Sequence, residues 1–552
     1  MNPDPDPRLS LALARLARSV GLPAGFAGLS ATEKLNAILD ASDPARLVRA
    51  LRADEFYGLV RQIGLEDAAE LLALASPEQR RAVRDLEVWS GEEYEPARLD
   101  VLLDLAMQDG LERALELIRD CDLELLALHV FKQARVMLAS EAEDEDLPDE
   151  GSFLSPDGVF MVLCEDPSRV PSVRRFLDLL YAEGVEFAHK ILFGGRFETR
   201  GSLEAQALHF RDKRLEDLGF PPPEERFAIW EPFDLDGLRA QIRRPPAAEA
   251  VEVEPKVFPL ALVLAGRERP SFLYDALAAA AADPAFPVFA HRMLYLVNRV
   301  LATRTRTYHE DARWDEAAAE ALALVSLGLE ALSDGSQERA PEVLLAVHPQ
   351  YLYRAGVETL RPLNLLARKV VREVSGAVRL SVLGEARAEV VRAALKFPPQ
   401  RALFESGSEC SWTLAEVQRT REALRGMLEV LSFARAVCGF APSASSKLGS
   451  LVEPTIANVL ATAWARKVLN GEVSLAPLAG EEVQDLRVAA FESGRIRRAL
   501  REAFLETAPD REAVRAYLND ALDRVEDALS ALDPGREVDV RFIGDCLLVR
   551  KT

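Results

Sequence analysis

The chain has 552 residues, of which 49% are hydrophobic and 7% aromatic, and it carries a formal net charge of −22. This length exceeds what a single hydrophobic core supports and indicates about three or four structural units. The negative charge argues against a broad, sequence-independent affinity for nucleic acid or anionic lipid, so nucleic acid is not an expected partner.

The N-terminal sequence MNPDPDPRLS has acidic residues and prolines where a secretory signal would carry positive charge. Apolar runs elsewhere are broken by charges before they reach the about 18 residues of a membrane span. The five cysteines lie far apart without a CxxC spacing, which is typical of reduced thiols. We therefore expect a soluble, cytoplasmic protein with no membrane insertion.

One apolar pattern returns throughout the first 120 residues. Four segments place apolar residues at positions i, i+3, i+4 and i+7, the stripe of a helix that buries one face. They are Phe56–Leu59–Val60–Ile63, Ala68–Leu71–Leu72–Ala75, Leu99–Leu102–Leu103–Ala106 and Leu111–Ala114–Leu115–Ile118. Ser76, Pro77 and Gln79 match a capping box at a helix start. Helices this short need neighbours to stack on, so residues 1–139 are predicted to form an N-terminal helical domain.

Two polar segments predict domain boundaries. Residues 140–152 (SEAEDEDLPDEGS) hold seven acidic residues and form a predicted acidic linker. A turn tetrad, Ser155 to Gly158, then lies between short Val- and Phe-rich runs, which predicts a β-hairpin at the start of a middle domain, residues 153–240. Gly219 and Pro221 indicate the end of a helix near Leu215. Residues 241–256, rich in Pro and Ala, are the second predicted linker.

The C-terminal domain is predicted at residues 257–552. Helical patterns occur near 287–303, 315–333, 380–396, 413–438 and 510–532. The last 16 residues alternate polar and apolar side chains, which indicates a terminal β-hairpin or an added strand. The predicted fold class is therefore mainly α, with stacked short helices in a helical-repeat or solenoid-like bundle and one or two small β-hairpins.

Motifs for catalysis or cofactor binding are not evident in this sequence. It lacks the GxxxxGK[ST], GxGxxG and GxSxG patterns. Glu204 and His209, at i and i+5, would project about 140° apart on a helix and cannot chelate one metal. Gly194-Gly195 is predicted as a loop between helices, and His291 as a hydrogen-bonded polar group in a core. We assign no catalytic, metal-binding or cofactor-binding residue and expect no cofactor.

Basic residues cluster in three places despite the acidic total. These clusters are Arg299, Arg304 and Arg306; Arg361, Arg368, Lys369 and Arg372; and Arg495, Arg497, Arg498 and Arg501. Solvated or salt-bridged helix faces are one interpretation, and contacts to a protein, an anion or nucleic acid are the alternatives.

A candidate partner-binding surface lies in residues 209–230 (HFRDKRLEDLGFPPPEERFAIW). Arg211 and Arg214 are predicted to pair with Asp212 or Asp217 and to leave an aromatic ledge that includes Phe220 and Trp230. Aromatic and arginine side chains are enriched at protein interfaces, although packing between domains is the alternative role. The predicted partner-binding residues are Arg211, Arg214, Asp217, Phe220 and Trp230.

Five segments, the first of them in this region and the others further along the chain, carry a family resemblance. The segments RDKRLEDLGFP, YLVNRVL, LVSLGLEAL, LYRAGVETL and VRFIGDCLLVR resemble a family of large, uncharacterised bacterial helical proteins with a domain of unknown function. That resemblance implies no activity and no catalytic residue. The segment LEDAAELLALASPEQRR is also weakly similar to the helical superhelix domain of magnesium transporter proteins and to flagellar rotor proteins, which implies stacked helices only.

Three functional hypotheses follow from these observations. The leading one is a helical scaffold or adaptor that binds protein partners without catalysis. The second is an enzyme of unrecognised type with a carboxylate-based site between the middle and C-terminal domains. The third is a nucleic-acid accessory factor that uses the arginine clusters.

Overall fold

The computed structural model describes residues 29–142, 150–242, 271–309, 312–402, 412–443, 448–508, 510–531 and 540–550, together with Phe26 and Pro148. Most of the N-terminal segment before Leu29, residues 143–147 and 149 of the predicted acidic linker, residues 243–256 of the second predicted linker, and Cys410 lie outside the described residues. The chain divides into two compact units, Met1–Gly356 and Val357–Thr552. The three-domain division drawn from the sequence stays a prediction.

The first unit consists mainly of helices. They are α1 (Ala31–Leu39), α2 (Pro44–Ala50), α3 (Ala53–Ile63), α4 (Ala69–Leu74), α5 (Pro77–Glu87), α6 (Pro96–Gln108), α7 (Leu111–Arg119), α8 (Leu123–Phe131), α9 (Ala139–Ala142), α10 (Val170–Glu183), α11 (Val185–Arg196), α12 (Arg200–Asp217), α13 (Leu235–Ile242), α14 (Ser271–Ala280), α15 (Phe286–Arg304), α16 (Ala312–Leu332) and α17 (Ala340–Ala346). Short 3-10 helices occur at Pro167–Arg169, Pro223–Glu225 and Ala228–Trp230. Helix α18 (Pro349–Glu373) begins in this unit and ends in the second.

The strands of the first unit are short and antiparallel. Strands β1 (Trp89–Ser90) and β2 (Glu93–Tyr94) form a hairpin. Strands β3 (Ala134–Leu138), β4 (Ser152–Leu154) and β5 (Phe160–Cys164) form a sheet in the order β3-β5-β4. Strands β4 and β5 pair with each other and confirm the predicted hairpin. The Ser155 hydroxyl accepts a hydrogen bond from the Phe160 N–H at 3.0 Å and closes the turn between them.

Local sequence chemistry explains where α5 begins. Ser76 and Gln79 form the predicted capping box, and Pro77 occupies the first helical position. The Gln79 side chain also donates to the carbonyl oxygens of Val48, at 2.6 Å, and Leu51, at 2.8 Å. One residue therefore caps α5 and joins it to the end of α2.

The apolar stripes of the sequence form the core of the first unit. Phe56, Leu59 and Val60 of α3 are buried, as are Leu99 and Ala114 of helices α6 and α7, which pack together. The structure confirms the predicted mainly α class with small β-hairpins. A helical-repeat arrangement of these helices stays a prediction.

The predictions for Gly194-Gly195 and for His291 had different outcomes. Gly194 and Gly195 are not in a loop but in the last turn of α11, where a Cβ on Gly195 would lie 2.2 Å from the Phe131 ring. The prediction was wrong because close helix packing, rather than a turn, requires this glycine. His291 is hydrogen-bonded as predicted, since a ring nitrogen lies 3.0 Å from Nη1 of Arg52.

Helices α16 and α18 cross at two glycines in the first unit. A Cβ on Gly328 would lie 1.8 Å from the Leu352 carbonyl oxygen, and one on Gly356 would lie 2.1 Å from that of Leu324. The two backbones therefore approach more closely than any side chain permits.

The second unit surrounds one buried helix. Its helices are α19 (Glu385–Leu395), α20 (Leu414–Cys438), α21 (Ile456–Asn470), α22 (Gly480–Ala490), α23 (Arg498–Leu505) and α24 (Glu512–Ser530), with 3-10 helices at Ala377–Leu383 and Val540–Phe542. Helix α21 is buried from Ile456 to Arg466 and packs against α20, α22 and α24. Arg466 in this helix pairs with Glu482 at 2.6 Å.

The strands and bridges described in the second unit are short. Strands β6 (Phe491–Glu492) and β7 (Arg495–Ile496) form a hairpin. In the chain's last described residues, Val549 bridges to Leu478 and Arg550 to Ser450, which resembles an added strand. The first three residues of the predicted terminal hairpin, 537–539, lie outside the described residues. Among the helices that the structure describes, none is both long and apolar enough to cross a membrane.

Candidate functional site

The five predicted partner-binding residues do not form one exposed ledge. Arg211 and Phe220 are each only 4% exposed, while Asp217 is exposed at the end of α12. Trp230 is half-buried, and its indole N–H donates to the Tyr353 hydroxyl at 3.0 Å. Arg211, Phe220 and Trp230 therefore contact other parts of the first unit, and so does Arg214, as described next.

Arg214 pairs with different carboxylates from those expected. Its Nε donates to Asp85 at 2.6 Å, and its Nη2 lies 2.8 Å from Asp122, whereas Asp212 and Asp217 were the predicted partners. Burial alone would raise the pKa of Asp85, but Arg84 and Arg214 outweigh burial and lower it. Asp85 is therefore ionised between two guanidinium groups.

Arg211 holds a turn of the β1–β2 hairpin in place. Its Nε donates to the Asp85 carbonyl at 2.9 Å, and its Nη1 donates to the Gly91 carbonyl and to Asp212, each at 3.2 Å. The Gly91 N–H donates to the Arg306 carbonyl at 3.2 Å. The hairpin is thereby connected both to α12 and to the segment that follows α15.

These connections enclose a polar cleft, which we call the arginine cleft. It has a volume of about 40 Å³, and the residues that line it are Gly91, Glu92, Arg211, Asp212, Leu215, Phe220, Pro221, Pro223, Arg226, Ala302, Thr305, Arg306 and Tyr308. The predicted site residues Arg211 and Phe220 line it, so the structure brings together two of the five. Arg214, Asp217 and Trp230 do not line it.

Arg226 and Tyr308 supply the uncommitted donors of the arginine cleft. Within the described chain, Arg226 makes no ion pair, and its buried Nε has no hydrogen-bond partner. Its guanidinium lies 5.2 Å from the Phe227 ring. Tyr308 is positioned by its backbone, whose carbonyl accepts from the Tyr57 hydroxyl at 3.3 Å, and by Phe220, whose ring centroid is 4.7 Å away.

The electrostatics of the cleft favour an anion. Burial raises the pKa of Tyr308 above its ordinary value, although Arg211 and Arg226 oppose that rise, so the hydroxyl keeps its proton and can donate it in a hydrogen bond. Burial lowers the pKa of Arg226, and the neighbouring Arg306 adds to this effect. An anion between these groups would relieve the repulsion between the two guanidinium groups.

Sequence reasoning missed Arg226 and Tyr308 as site residues. Arg226 lies within residues 209–230, but the sequence does not show that it differs from the neighbouring arginines that form ion pairs. Arg306 was found only as a member of a basic cluster, and it pairs with Glu92 at 3.3 Å. Nothing local to Tyr308 distinguishes it, because its role depends on Arg226, which is 82 positions away.

The other predicted basic clusters are partly salt-bridged. Arg304 pairs with Glu316 at 2.9 Å, Arg361 with Glu358 at 2.7 Å, and Arg501 with Asp523 at 2.7 Å.

Throughout the described ranges, no three His, Cys, Asp or Glu residues are arranged to hold a metal ion.

The fold and the cleft define a mainly α-helical protein with small β-hairpins. A model of a family of unknown function (DUF6178) matches residues 22–550, and the chain belongs to this family. The predicted resemblance to an uncharacterised family is thereby confirmed, and the similarity to magnesium transporter proteins is not supported. No curated protein and no solved structure matches the chain.

Proposed function

We propose that this protein is a cytoplasmic, non-catalytic helical adaptor that binds an acidic segment of a protein partner in the arginine cleft. The observation that supports the proposal is the guanidinium of Arg226, which makes no ion pair among the described residues and lines the same preformed cavity as Tyr308. An arginine and a tyrosine hydroxyl are donors that recognise a carboxylate.

The charge of the cleft favours a carboxylate over a more highly charged group. Three arginines, Arg211, Arg226 and Arg306, and two carboxylates, Glu92 and Asp212, line it, so its net charge is +1. This charge is balanced by a single carboxylate, and a cavity of about 40 Å³ suits a group of that size. The prolines and Phe220 at its wall supply apolar contacts for the rest of a peptide.

The acidic total of the chain does not prevent this binding. At physiological ionic strength, charges more than about 8 Å apart are largely screened. The local guanidinium groups therefore decide the affinity. The enzyme and nucleic-acid alternatives stay predictions.

The test is the fluorescence anisotropy of a labelled hexaglutamate peptide titrated with the full chain. We expect saturable binding, no binding of a hexaglutamine peptide, and at least about tenfold weaker binding to Arg226→Gln, because a charge-assisted hydrogen bond is lost. Arg175→Gln is the matched control, since Arg175 is an exposed arginine of the same unit that pairs with Asp104 at 2.6 Å.

Two results would overturn the proposal. One is equal affinity of the wild-type chain and Arg226→Gln for hexaglutamate, or no binding at all. The other is binding of a single-stranded DNA oligomer that depends on Arg226 while the peptide does not bind, which would favour a nucleic-acid accessory factor.

A further inference from the structure

Two pairs of stacked aromatic rings lie on the first unit, and one of them adjoins the arginine cleft. Phe227 stacks on Trp230 with ring centroids 5.3 Å apart, and Phe233 stacks on Tyr351 with centroids 5.8 Å apart. Phe227 is 52% exposed and Tyr351 is 44% exposed. We call these four rings the aromatic strip.

Hydrogen bonds hold the aromatic strip against the start of α18. The Trp230 indole N–H donates to the hydroxyl of the buried Tyr353 at 3.0 Å. Arg354, the next residue of α18, donates from Nη2 to the Pro232 carbonyl at 3.4 Å. The segment that carries three of the four rings is therefore attached at two points, which reduces the entropy that a partner must overcome on binding.

Each stacked pair lies beside a guanidinium group. The Cζ atom of Arg226 lies 5.2 Å from the Phe227 ring centroid, and the Cζ atom of Arg354 lies 4.8 Å from the Phe233 ring centroid. Within the described chain, neither arginine forms an ion pair, and the buried Nε of each has no hydrogen-bond partner. Arg226 also lines the arginine cleft, so the cleft and the first stack share this residue.

The carboxylates that neighbour these arginines in sequence do not neutralise them. Asp234 accepts from the Gly237 N–H at 2.9 Å, at the start of α13. Three others are exposed to solvent and pair with neither arginine; they are Glu224, Glu225 and Glu231. Exposed carboxylates stay hydrated and gain little from a nearby charge. Both guanidinium groups therefore remain available to carboxylates of a partner.

The length of the aromatic strip suits a short, extended peptide. Phe227 and Phe233 are six positions apart, so their Cα atoms are at most about 20 Å apart. The 3-10 helix Ala228–Trp230 shortens this distance. An extended peptide advances about 3.4 Å per residue, so two of its side chains five positions apart span about 17 Å.

We propose that the aromatic strip binds aromatic side chains of the same acidic partner segment that enters the arginine cleft. This inference rests on the proposed function and specifies its partner as a peptide whose aromatic residues are flanked by acidic ones. Its rings stack on the exposed Phe227 and Tyr351, and its carboxylates pair with the guanidinium groups beside them. Aromatic and arginine side chains are the types that dominate binding at protein interfaces.

The test compares two labelled peptides, EWEEEEWE and EAEEEEAE, by fluorescence anisotropy with the full chain. Both carry the same number of glutamates as hexaglutamate, so a difference in affinity between them reports the tryptophan side chains. We expect EWEEEEWE to bind at least about tenfold more tightly than EAEEEEAE, because ring stacking adds to the ion pairs.

Variants of the aromatic strip identify where the tryptophans bind. Phe227→Ala and Tyr351→Ala should each reduce the preference for EWEEEEWE by about threefold or more, and should change the binding of EAEEEEAE by less than about twofold. Phe227→Tyr keeps the ring and should keep the preference. Phe197→Ala is the matched control, because Phe197 is a phenylalanine of the same unit that is 85% exposed. Circular dichroism verifies that each variant is folded.

The outcomes distinguish this proposal from the one on which it rests. If both peptides bind equally well and Arg226→Gln weakens both, the aromatic strip is overturned and the arginine cleft is retained. A preference for EWEEEEWE that survives in both alanine variants, or that Phe197→Ala reduces equally, also overturns the strip. If the preference depends on Phe227 but Arg226→Gln has no effect on either peptide, the strip is supported and the cleft is overturned. Binding of neither peptide overturns both.

Discussion

Arg214 donates from Nε to the carboxylate of Asp85 at 2.6 Å and so joins helices α12 and α5 across 129 positions of the sequence. The same carboxylate accepts from Arg84 at 2.7 Å, and the side chains of Arg84 and Asp85 are 0% and 2% exposed. A buried carboxylate between two guanidinium groups neutralises charges that water cannot reach.

Replacing this carboxylate should be strongly destabilising. Asp85→Asn leaves the buried Arg84 with only the more distant carboxylate of Asp122, at 3.9 Å, and should lower the free energy of unfolding by roughly 3–5 kcal/mol. Asp236→Asn is the control, because the Asp236 side chain is 90% exposed and should change stability by less than about 0.5 kcal/mol. Urea denaturation measures both variants, and equal stabilities would contradict the structural role of Asp85.

The arginine cleft predicts that two of its arginines contribute very differently to stability. Arg226→Gln removes no ion pair and should change the free energy of unfolding by less than about 0.5 kcal/mol. Arg211→Gln removes donors to Asp85, Gly91 and Asp212, and should cost about 2 kcal/mol or more. Thermal and urea denaturation distinguish them. A large loss of stability in Arg226→Gln would mean that Arg226 supports the fold rather than a ligand.

The crossing of α16 and α18 predicts a steric effect. Gly328→Ala places a methyl group against the Leu352 carbonyl and should cost roughly 2–4 kcal/mol, because the helices must separate. Gly201→Ala is the matched control in α12, where a Cβ meets nothing within 4 Å and should be neutral or stabilising by up to about 1 kcal/mol. Thermal denaturation that ranks the two variants the other way round would contradict this packing.

Glu55 predicts a dependence of stability on pH. Burial, assisted by Asp54, raises the pKa of Glu55 to about 8 from an ordinary value of 4.5. The folded chain holds this proton more tightly than the unfolded chain does. The stabilisation is therefore complete below about pH 4.5 and is lost as the pH rises to about 8, by roughly 3–5 kcal/mol.

Glu55→Gln isolates this effect, because glutamine keeps an acceptor for the Arg52 N–H, which lies 3.1 Å from Glu55. Relative to the wild-type chain, the variant should gain stability between about pH 5 and pH 8.5. The lowered pKa of His348 acts in the opposite direction, with stability lost as the pH falls from 6.5 to about 4, but it cancels in this comparison. A stability difference that is constant with pH would contradict the prediction.

Several local features were predictable from the sequence. The stripe that begins at Phe56 is buried, the capping box of Ser76 and Gln79 is formed, and the turn from Ser155 to Gly158 joins two strands. Each depends on residues within about eight positions of one another, whose spacing and backbone preferences act locally.

The candidate sites were not predictable in the same way. Arg211 and Phe220 were found as candidates, but whether an arginine is paired depends on what the fold places beside it. Arg214 meets Asp85, while Arg226 and Arg299 meet no carboxylate among the described residues. The residue type is the same in all three cases.

The sequence by itself therefore determined the helical class, the positions of many helices and the family to which the chain belongs. Only the tertiary structure decided which arginines are neutralised, that Tyr308 and Arg226 line one cleft, and that Gly328 and Gly356 lie at a helix crossing. The physical reason is that periodicity and capping act between neighbours in sequence. Charge pairing and close packing act between atoms within a few ångströms in space, wherever their residues lie along the chain.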